Sequence, residues 1–277
     1  MTMLENFDLS GKVAVITGGA GLLGTEHAIA LALAGAEVVI TDIQGDAARE
    51  VADQLGSKHG LNKCQGLAMD VTDADSILRV QKELLTRYQG IHILINNAAV
   101  DPKIKEGNVL VESSRFENFP LEQWHYQINV GLTGAFLCSQ KFGGWMASHG
   151  GGVILNIASD LSVFAPDQRI YRKEGLPESR QPVKPVTYSV IKTALVGMTR
   201  YLATYWAEKK IRVNALSPGG VYVNQPEEFV RKLTHLIPMG RMARREEYRG
   251  AVQFLCSEAS SYLTGQNIVM DGGRSVW

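Results

Sequence analysis

The stretch that decides the fold is Val13-Ala-Val-Ile-Thr-Gly-Gly-Ala-Gly-Leu-Leu-Gly24. Its first four apolar residues predict a buried strand, and the residues from 22 to 34 follow a helical pattern that ends at Gly35. Glycines between a strand and a helix allow a tight turn and a close approach to a pyrophosphate, which the helix N-terminus attracts. The strand-turn-helix context therefore predicts a dinucleotide site, although glycines alone would equally indicate a packing turn.

Short apolar runs alternate with helical patterns along the rest of the chain. Further strands are predicted at residues 38–40, 66–69, 91–95, 153–157, 211–215 and 267–270, and further helices at 72–88, 121–148 and 187–209. Near-continuous apolar strands separated by helices are typical of a parallel sheet that is covered on both faces. We therefore expect an α/β fold with a doubly wound, seven-stranded parallel sheet and helices on both faces.

Two stretches break this alternation, at residues 101–120 and 165–185. Both follow predicted strand ends, and ligands of open α/β sheets bind beyond the carboxyl ends of the strands. Long loops within a compact domain are usually functional. We expect a single domain over residues 1–277, with both inserts lying over its active site.

An acidic residue, Asp42, ends the second predicted strand. At this position a carboxylate accepts hydrogen bonds from the adenosine ribose and repels a 2′-phosphate. No Lys or Arg lies between Thr17 and Asp42 to offset that charge. The sequence favours NAD over NADP, and the alternative is an ordinary turn aspartate.

A candidate acid/base pair lies in Tyr188-Ser-Val-Ile-Lys192. Residues four apart share a helix face, so the Lys192 ammonium can lower the pKa of the Tyr188 phenol by favouring the phenolate. A phenol that titrates near neutrality is a general acid/base. Tyr205 and Lys209 repeat the spacing near the far end of the helix, away from the crevice, so we assign the role to Tyr188 rather than Tyr205.

Composition excludes several classes of protein. The formal net charge of +0 over 277 residues indicates neither nucleic acid nor an anionic membrane surface as a partner. The three cysteines are scattered, the start of the chain lacks a signal-peptide pattern, and the longest apolar run is too short to span a bilayer. No histidines form a metal-spaced pair. We expect a cytoplasmic enzyme that acts on a small molecule and needs no metal.

Taken together, these motifs resemble the short-chain dehydrogenase/reductase family over nearly the whole chain. The resemblance rests on the glycine-rich turn, Asp70-Val71, Asn96-Asn-Ala-Ala99, Asn129, Ser159, Tyr188 with Lys192, Pro218-Gly219 and Asp271-Gly-Gly273. It implies a single-domain Rossmann-type fold, NAD(P)-dependent oxidoreduction, and assembly as a homodimer or homotetramer.

The resemblance also implies a catalytic tetrad of Asn129, Ser159, Tyr188 and Lys192. Tyr188 would move the proton, Lys192 would lower the pKa of Tyr188 and hold the nicotinamide ribose, Ser159 would bond the oxyanion, and Asn129 would anchor a water. The residues expected to contact NAD are Gly18, Gly21, Leu22, Leu23, Gly24, Asp42, Ile43, Asp70, Val71, Asn97, Ala98, Ala99, Tyr188, Lys192, Pro218, Gly219 and Val221.

Two positions depart from the compact branch of the family, which usually has glycine in place of Leu22 and Ala99. With Leu22, the turn matches the spacing of the extended branch, which includes nucleotide-sugar epimerases and dehydratases. The other motifs favour the compact branch. An epimerase or dehydratase that retains NAD, and a non-catalytic NAD-binding scaffold subunit, remain as alternative functions.

The insert at 165–185 carries more basic than acidic residues. Such a loop over an active site suggests an anionic substrate, for example a sugar acid or a phosphorylated sugar. The candidate anion-binding residues are Arg169, Arg172, Lys173 and Arg180. A solvated loop of mixed charge is an equally good interpretation.

Overall fold

The computed structural model describes residues 3–100 and 114–277. Seven parallel strands form one sheet in the order β3-β2-β1-β4-β5-β6-β7. The strands are β1 (Val13–Thr17), β2 (Glu37–Asp42), β3 (Cys64–Ala68), β4 (Ile93–Asn96), β5 (Gly152–Ile157), β6 (Ile211–Pro218) and β7 (Asn267–Met270). This confirms the predicted doubly wound, seven-stranded parallel sheet.

Helices cover both faces of the sheet. They are α1 (Leu22–Leu33), α2 (Gly45–His59), α3 (Ala74–Arg87), α4 (Leu121–Ile128), α5 (Gly134–Cys138), α6 (Gly144–Ser148), α7 (Val186–Tyr205), α8 (Glu227–Thr234) and α9 (Arg249–Cys256). Ala14 and Ile16 of β1 pack into the core that contains α1, whereas Val13 and Val15 pack into the opposite core. Because β1 is buried on both faces, its first four residues are all apolar rather than alternating with polar ones.

The strand order reverses between β1 and β4, and this reversal creates the crevice in which ligands of such sheets bind. Ile16 of β1 pairs with Ile40 of β2 on one side and with Ile95 of β4 on the other. The turns that leave β1 and β4 therefore meet at one edge of the sheet.

The sequence prediction missed or simplified some helices. Helix α2 was not predicted, because most of its surface is polar, although Ala48, Ala52 and Leu55 recur at helical spacing and are buried. Gly60 ends it in the left-handed region with φ +66. The predicted helix at 121–148 is present as one helical run, in which α4, α5 and α6 are joined by π-helical turns at Asn129–Thr133 and Ser139–Gly143.

The insert at 165–185 contains short 3₁₀ turns at Gln168–Tyr171 and Glu178–Arg180. The buried Gln181 side chain ties the second half of the insert to its middle, since Oε1 accepts from the Lys173 amide at 2.9 Å and Nε2 donates to the Lys173 carbonyl at 3.0 Å. Most of the insert predicted at 101–120 lies outside the described residues. Among the helices at 3–100 and 114–277, none is long and apolar enough to cross a membrane.

Candidate active site

The glycine-rich turn has little room for side chains. Gly18 adopts φ +58, and a Cβ on it would lie 2.7 Å from the Ala98 Cα. A Cβ on Gly24 would lie 2.6 Å from the Gly18 carbonyl oxygen, because the first turn of α1 packs directly on the loop. Gly21 is the N-cap of α1, and Leu22 is the first residue of this helix and is partly exposed. The turn therefore presents backbone and a helix N-terminus to the crevice.

Asn97, just beyond β4, fastens this turn to the sheet. Its side-chain Nδ2 donates to the carbonyl oxygens of Thr17 at 3.0 Å and Gly18 at 2.9 Å. In return, the Thr17 hydroxyl oxygen accepts from the amides of Asn97 and Ala98, each at 3.0 Å. These bonds fix the direction in which the glycine backbone faces the crevice.

Asp42 ends β2 at the same edge of the sheet. Its Oδ1 accepts from the Gln44 amide at 3.1 Å. The nearest downstream cation, Arg49, forms an ion pair with Asp46. Asp42 is therefore the acidic group that faces the crevice at the end of β2.

Three of the four candidate catalytic residues come from the end of β5 and the start of α7. Ser159 lies just beyond β5, Tyr188 lies in the first turn of α7, and Lys192 follows one helical turn later. Lys192 Nζ donates to the Ile157 carbonyl at 2.7 Å and lies 5.8 Å from the centroid of the Tyr188 ring. Ser159 and Lys192 are buried, and Tyr188 is half-buried.

One cavity of about 560 Å³ brings these groups together with the glycine-rich turn. The predicted site residues that line it are Gly18, Gly21, Leu22, Leu23, Asp42, Asn97, Ala99, Ser159, Tyr188, Lys192, Pro218, Gly219 and Val221. Residues separated by about two hundred positions in the sequence therefore line one cavity.

Other predicted site residues lie behind or beside the cavity lining. Gly24 and Ala98 pack against the turn, and Val71 is buried against Gly134. Asp70 Oδ1 accepts from the Thr72 amide at 2.8 Å. Ile43 is exposed, and Asn129 is exposed within the first π-helical turn.

An ion pair next to Ser159 was not predicted. Arg274 Nη1 donates to Asp160 Oδ2 at 3.2 Å, while the Ser159 hydroxyl and the Leu161 amide donate to Asp160 Oδ1, each at 2.9 Å. Both charged residues line the cavity. Burial raises the pKa of the Asp160 carboxyl, although the Ser159 bond and the Arg274 charge act in the opposite direction.

Asp271 places Arg274 at the cavity. Its Oδ1 accepts from the Gly273 amide at 2.9 Å and its Oδ2 from the Ser275 amide at 2.7 Å, so the chain bends back after β7. Gly272 and Gly273 have φ +68 and +90, which side-chain-bearing residues rarely adopt. The Asp-Gly-Gly-Arg order is the signal that could have drawn attention to this position.

The basic insert contributes a different residue from those predicted. Lys184 lines the cavity, and its Nζ lies 3.8 Å from the centroid of the Tyr188 ring. Arg169 instead bonds Asp167, and Arg172 bonds Glu178. None of Arg169, Arg172, Lys173 and Arg180 is among the described residues that line the cavity.

Comparison with known proteins agrees with this arrangement. The profile of the family described as short chain dehydrogenase matches residues 12–171, and a second profile, Enoyl-(Acyl carrier protein) reductase, matches residues 178–275. The chain belongs to the short-chain dehydrogenase family. Within the short-chain dehydrogenases, an NAD-dependent glycerol dehydrogenase of Listeria innocua is 35% identical over 98% of this chain and 97% of its own length.

Further short-chain dehydrogenases show how widely the substrates of such relatives differ. A 3-oxoacyl-(acyl-carrier-protein) reductase of Aquifex aeolicus is 33% identical over 96% of this chain and 98% of its own length. A gluconate 5-dehydrogenase of Burkholderia cenocepacia, solved with NADP and tartrate, is 27% identical with a TM-score of 0.85, and both chains are covered completely. Family membership thus establishes an oxidoreductase and leaves the substrate and the choice between NAD and NADP to the site itself.

Proposed function

We propose that this short-chain dehydrogenase is an NAD-dependent oxidoreductase that interconverts a secondary alcohol and a ketone. The observation that carries the proposal is the shared cavity of Ser159, Tyr188, Lys192, Asp42 and the glycine-rich turn. A proton-transfer group, an oxyanion donor and a dinucleotide cradle are the parts that this reaction needs.

The cavity fits a dinucleotide at one end. Gly18 and Gly21 leave the backbone of the turn open to a pyrophosphate, and the N-terminus of α1 points at it. Asp42 would hold the adenosine ribose, and Lys192 the nicotinamide ribose. When bound there, NAD would supply the hydride chemistry.

The chain's own residues would handle the proton and the developing charge. Tyr188 gives a proton to the substrate oxygen or takes one from it, and the Lys192 ammonium favours the phenolate. The Ser159 hydroxyl, which donates to Asp160 Oδ1 in this structure, would turn its hydrogen to the oxyanion as charge develops. Asn129 would anchor a water that links Lys192 to solvent, a role carried over from the family resemblance.

We propose NAD rather than NADP because Asp42 ends β2 in the cavity lining. The carboxylate would accept from the ribose hydroxyls and repel a 2′-phosphate. The name of the Listeria relative supports this choice, whereas the Burkholderia structure was solved with NADP. In this chain, the position and charge of Asp42 support NAD.

The test is a dehydrogenase screen of the purified protein with NAD over polyols, sugar acids and sugar phosphates. We expect NADH to appear in amounts equal to the oxidised product. Product without net NADH would support the epimerase or dehydratase that the glycine spacing favours, and NAD binding without turnover would support the scaffold. Sedimentation of the same sample would test the further proposal of a single-domain homodimer or homotetramer.

A further inference from the structure

We propose that Asp160 and Arg274 form a positioning pair that controls the hydroxyl hydrogen of Ser159. Asp160 holds this hydrogen while the cavity is empty, and Arg274 balances the carboxylate charge so that the hydrogen can turn to the substrate oxygen. The inference deepens the proposed function and rests on it for the role of Ser159. It gives two side chains a part in the reaction that they perform through a third.

Two hydrogen bonds fix the Ser159 hydroxyl in the structure. Its oxygen accepts from the Leu161 amide at 3.2 Å, and its hydrogen is donated to Asp160 Oδ1 at 2.9 Å. A hydroxyl has a single hydrogen, so Ser159 cannot make a full hydrogen bond to Asp160 and to a substrate oxygen at the same time. Asp160 and the substrate therefore compete for this hydrogen.

The charge of Asp160 determines how strongly it holds the hydrogen. Hydrogen bonds to an ionised carboxylate are roughly twice as strong as those between neutral groups. Asp160 is only 4% exposed, so little water weakens the bond. Without a counter charge, the carboxylate would keep the Ser159 hydrogen and leave the developing oxyanion without its donor.

Arg274 supplies the counter charge from the other side of the carboxylate. Its Nη1 donates to Asp160 Oδ2 at 3.2 Å, on the oxygen opposite to the one that Ser159 uses. The guanidinium lies over the Phe164 ring, with Cζ 4.7 Å from the centroid, and Asp271 fixes the turn that precedes it. These contacts keep the charge of Arg274 beside Oδ2.

Ionisable groups from several elements surround the pair. Burial raises the pKa of Asp160, the Ser159 bond and the Arg274 charge lower it, and the charge of Asp271 raises it. Removing Arg274 therefore raises the pKa of Asp160 and strengthens its hold on the Ser159 hydrogen for as long as Asp160 stays ionised. The other ionisable groups near the pair are Asp167 in the insert, Tyr248 before α9, and Tyr188 and Lys192 on α7.

The step that the pair permits is a rotation, and Ser159 keeps its hydrogen throughout. As Tyr188 takes the proton of an alcohol, the Ser159 hydroxyl turns about its Cβ–Oγ bond and donates to the negative substrate oxygen. Asp160 Oδ1 retains the Leu161 amide at 2.9 Å, and Oδ2 retains Arg274. The buried carboxylate is therefore not left without partners when the hydrogen turns away, which keeps the cost of the rotation low.

The first measurement follows Asp160 in the protein without cofactor or substrate. Carbon-13 NMR titration of the aspartate carboxyls gives its pKa, and Asp160→Asn identifies its signal. Ser159→Ala should raise this pKa, because a hydrogen bond to the carboxylate is lost. An unchanged pKa would show that Asp160 does not hold the Ser159 hydrogen and would overturn the inference.

The second measurement is the rate of NADH formation in the first turnover, with the best alcohol of the dehydrogenase screen and threitol as the starting probe. Arg274→Met should lower this rate by about tenfold, and Arg274→Lys should restore most of it. Ser159→Ala should lower it by about 10²–10³-fold, as loss of an oxyanion donor does. In the Ser159→Ala background, Arg274→Met should have little further effect. A tenfold loss that persists in that background would overturn the inference.

Arg249→Met is the matched control for loss of a buried ion pair. Arg249 pairs with Glu26, which is 3% exposed, and neither residue is among the described residues that line the cavity. The control should lose stability and keep the rate of the wild type. Equal losses of rate in Arg249→Met and Arg274→Met would show a structural effect and overturn the inference.

A double variant keeps the test open if Arg274→Met does not fold. Asp160→Asn with Arg274→Met offers Ser159 a neutral acceptor, so its rate should approach that of the wild type. A rate as low as that of Ser159→Ala would contradict the inference, because a neutral amide would have released the hydrogen.

The pH dependence distinguishes this effect from one on Tyr188. As the pH falls, Asp160 of Arg274→Met takes up a proton and loses its charge, so the rate deficit relative to the wild type should shrink. If loss of Arg274 instead raised the pKa of Tyr188, less phenolate would be present at low pH and the deficit would grow. That result would overturn the inference. All rates are compared where circular dichroism shows each protein to be folded.

The two measurements separate this inference from the proposed function. A raised pKa of Asp160 in Ser159→Ala, without NADH formation from any probe, would support the hold on the hydroxyl while the proposed reaction fails. Turnover of an alcohol with an unchanged pKa of Asp160 would overturn the positioning pair and leave the proposed reaction intact.

Discussion

Arg274 Nη1 lies 3.2 Å from Asp160 Oδ2, and the two side chains are only 9% and 6% exposed. The pair links the C-terminal segment to Asp160, the residue that follows Ser159 in the sequence. Asp160 Oδ1 also accepts a hydrogen bond from the Ser159 hydroxyl at 2.9 Å. The ion pair therefore belongs to both the stability of the fold and the geometry of the candidate site.

Arg274→Met should lower the free energy of unfolding by about 3–5 kcal/mol near neutral pH, because it leaves a buried carboxylate without its cation. Asp271, a further nearby carboxylate, already opposes the ionised form of Asp160. Replacing both partners, as Asp160→Asn with Arg274→Met, should recover most of the loss. Urea unfolding of the three proteins measures this.

The stability of the Arg274→Met variant should depend on pH in a defined direction. Burial raises the pKa of Asp160 in the folded protein, and loss of Arg274 raises this pKa further, so the folded state takes up a proton at higher pH than the unfolded state. The stability of Arg274→Met relative to the wild type should therefore improve as the pH falls from neutral. A deficit that stays constant as the pH is lowered would show that the variant's Asp160 does not take up a proton in the folded state.

Tyr188→Phe should reduce kcat by about 10²–10⁴-fold and leave NAD affinity nearly unchanged, because the hydroxyl transfers the proton. Steady-state turnover assays measure kcat, and titration with NAD measures the affinity for the cofactor. Tyr205→Phe is the control, since Tyr205 lies at the far end of α7, is exposed, and stacks on Tyr201. Comparable losses in both variants would remove Tyr188 from its proposed role.

Asp42→Ala should weaken NAD binding and reduce the preference for NAD over NADP. The variant loses both the acceptor for the ribose hydroxyls and the charge that repels a 2′-phosphate. Titration of each cofactor into the variant checks this. Asp46→Ala, which removes an exposed carboxylate paired with Arg49, should leave the preference unchanged. An Asp42→Ala protein with wild-type selectivity would mean that another group chooses the cofactor.

Gly24→Ala should destabilise the protein by about 1–3 kcal/mol, even though alanine favours a helix interior, because the new methyl would overpack the turn. Its Cβ would lie 2.6 Å from the Gly18 carbonyl and 2.7 Å from the Gly19 Cα. Thermal unfolding with and without NAD measures the change. At Gly21, the nearest atom to a new Cβ is 3.2 Å away, so Gly21→Ala should cost less stability.

The sheet could be predicted from the sequence because local patterns determine where its strands lie. The strands of the central sheet are apolar at consecutive positions, and the glycines between β1 and α1 require a special turn. Both signals lie within about twenty residues and need no knowledge of the rest of the chain. The location of Tyr188 and Lys192 at the carboxyl edge followed from the topology alone.

The parts that escaped prediction depend on distant contacts. Arg274 meets Asp160 because the chain bends back after β7, and the Lys184 amide donates to Gln168, which lies sixteen residues earlier. Charge alone favoured Arg169 and Arg172, which lie outside the cavity lining beside Asp167 and Glu178. A count of basic residues does not show which of their side chains line a cavity.

The 165–185 insert begins shortly after Ser159 and ends shortly before Tyr188. β5 and α7 hold these two residues independently of the loop. Natural selection can therefore lengthen, shorten or replace the intervening residues without displacing the reacting groups. Substrate preference could therefore change through this loop while Ser159 and Tyr188 keep their positions.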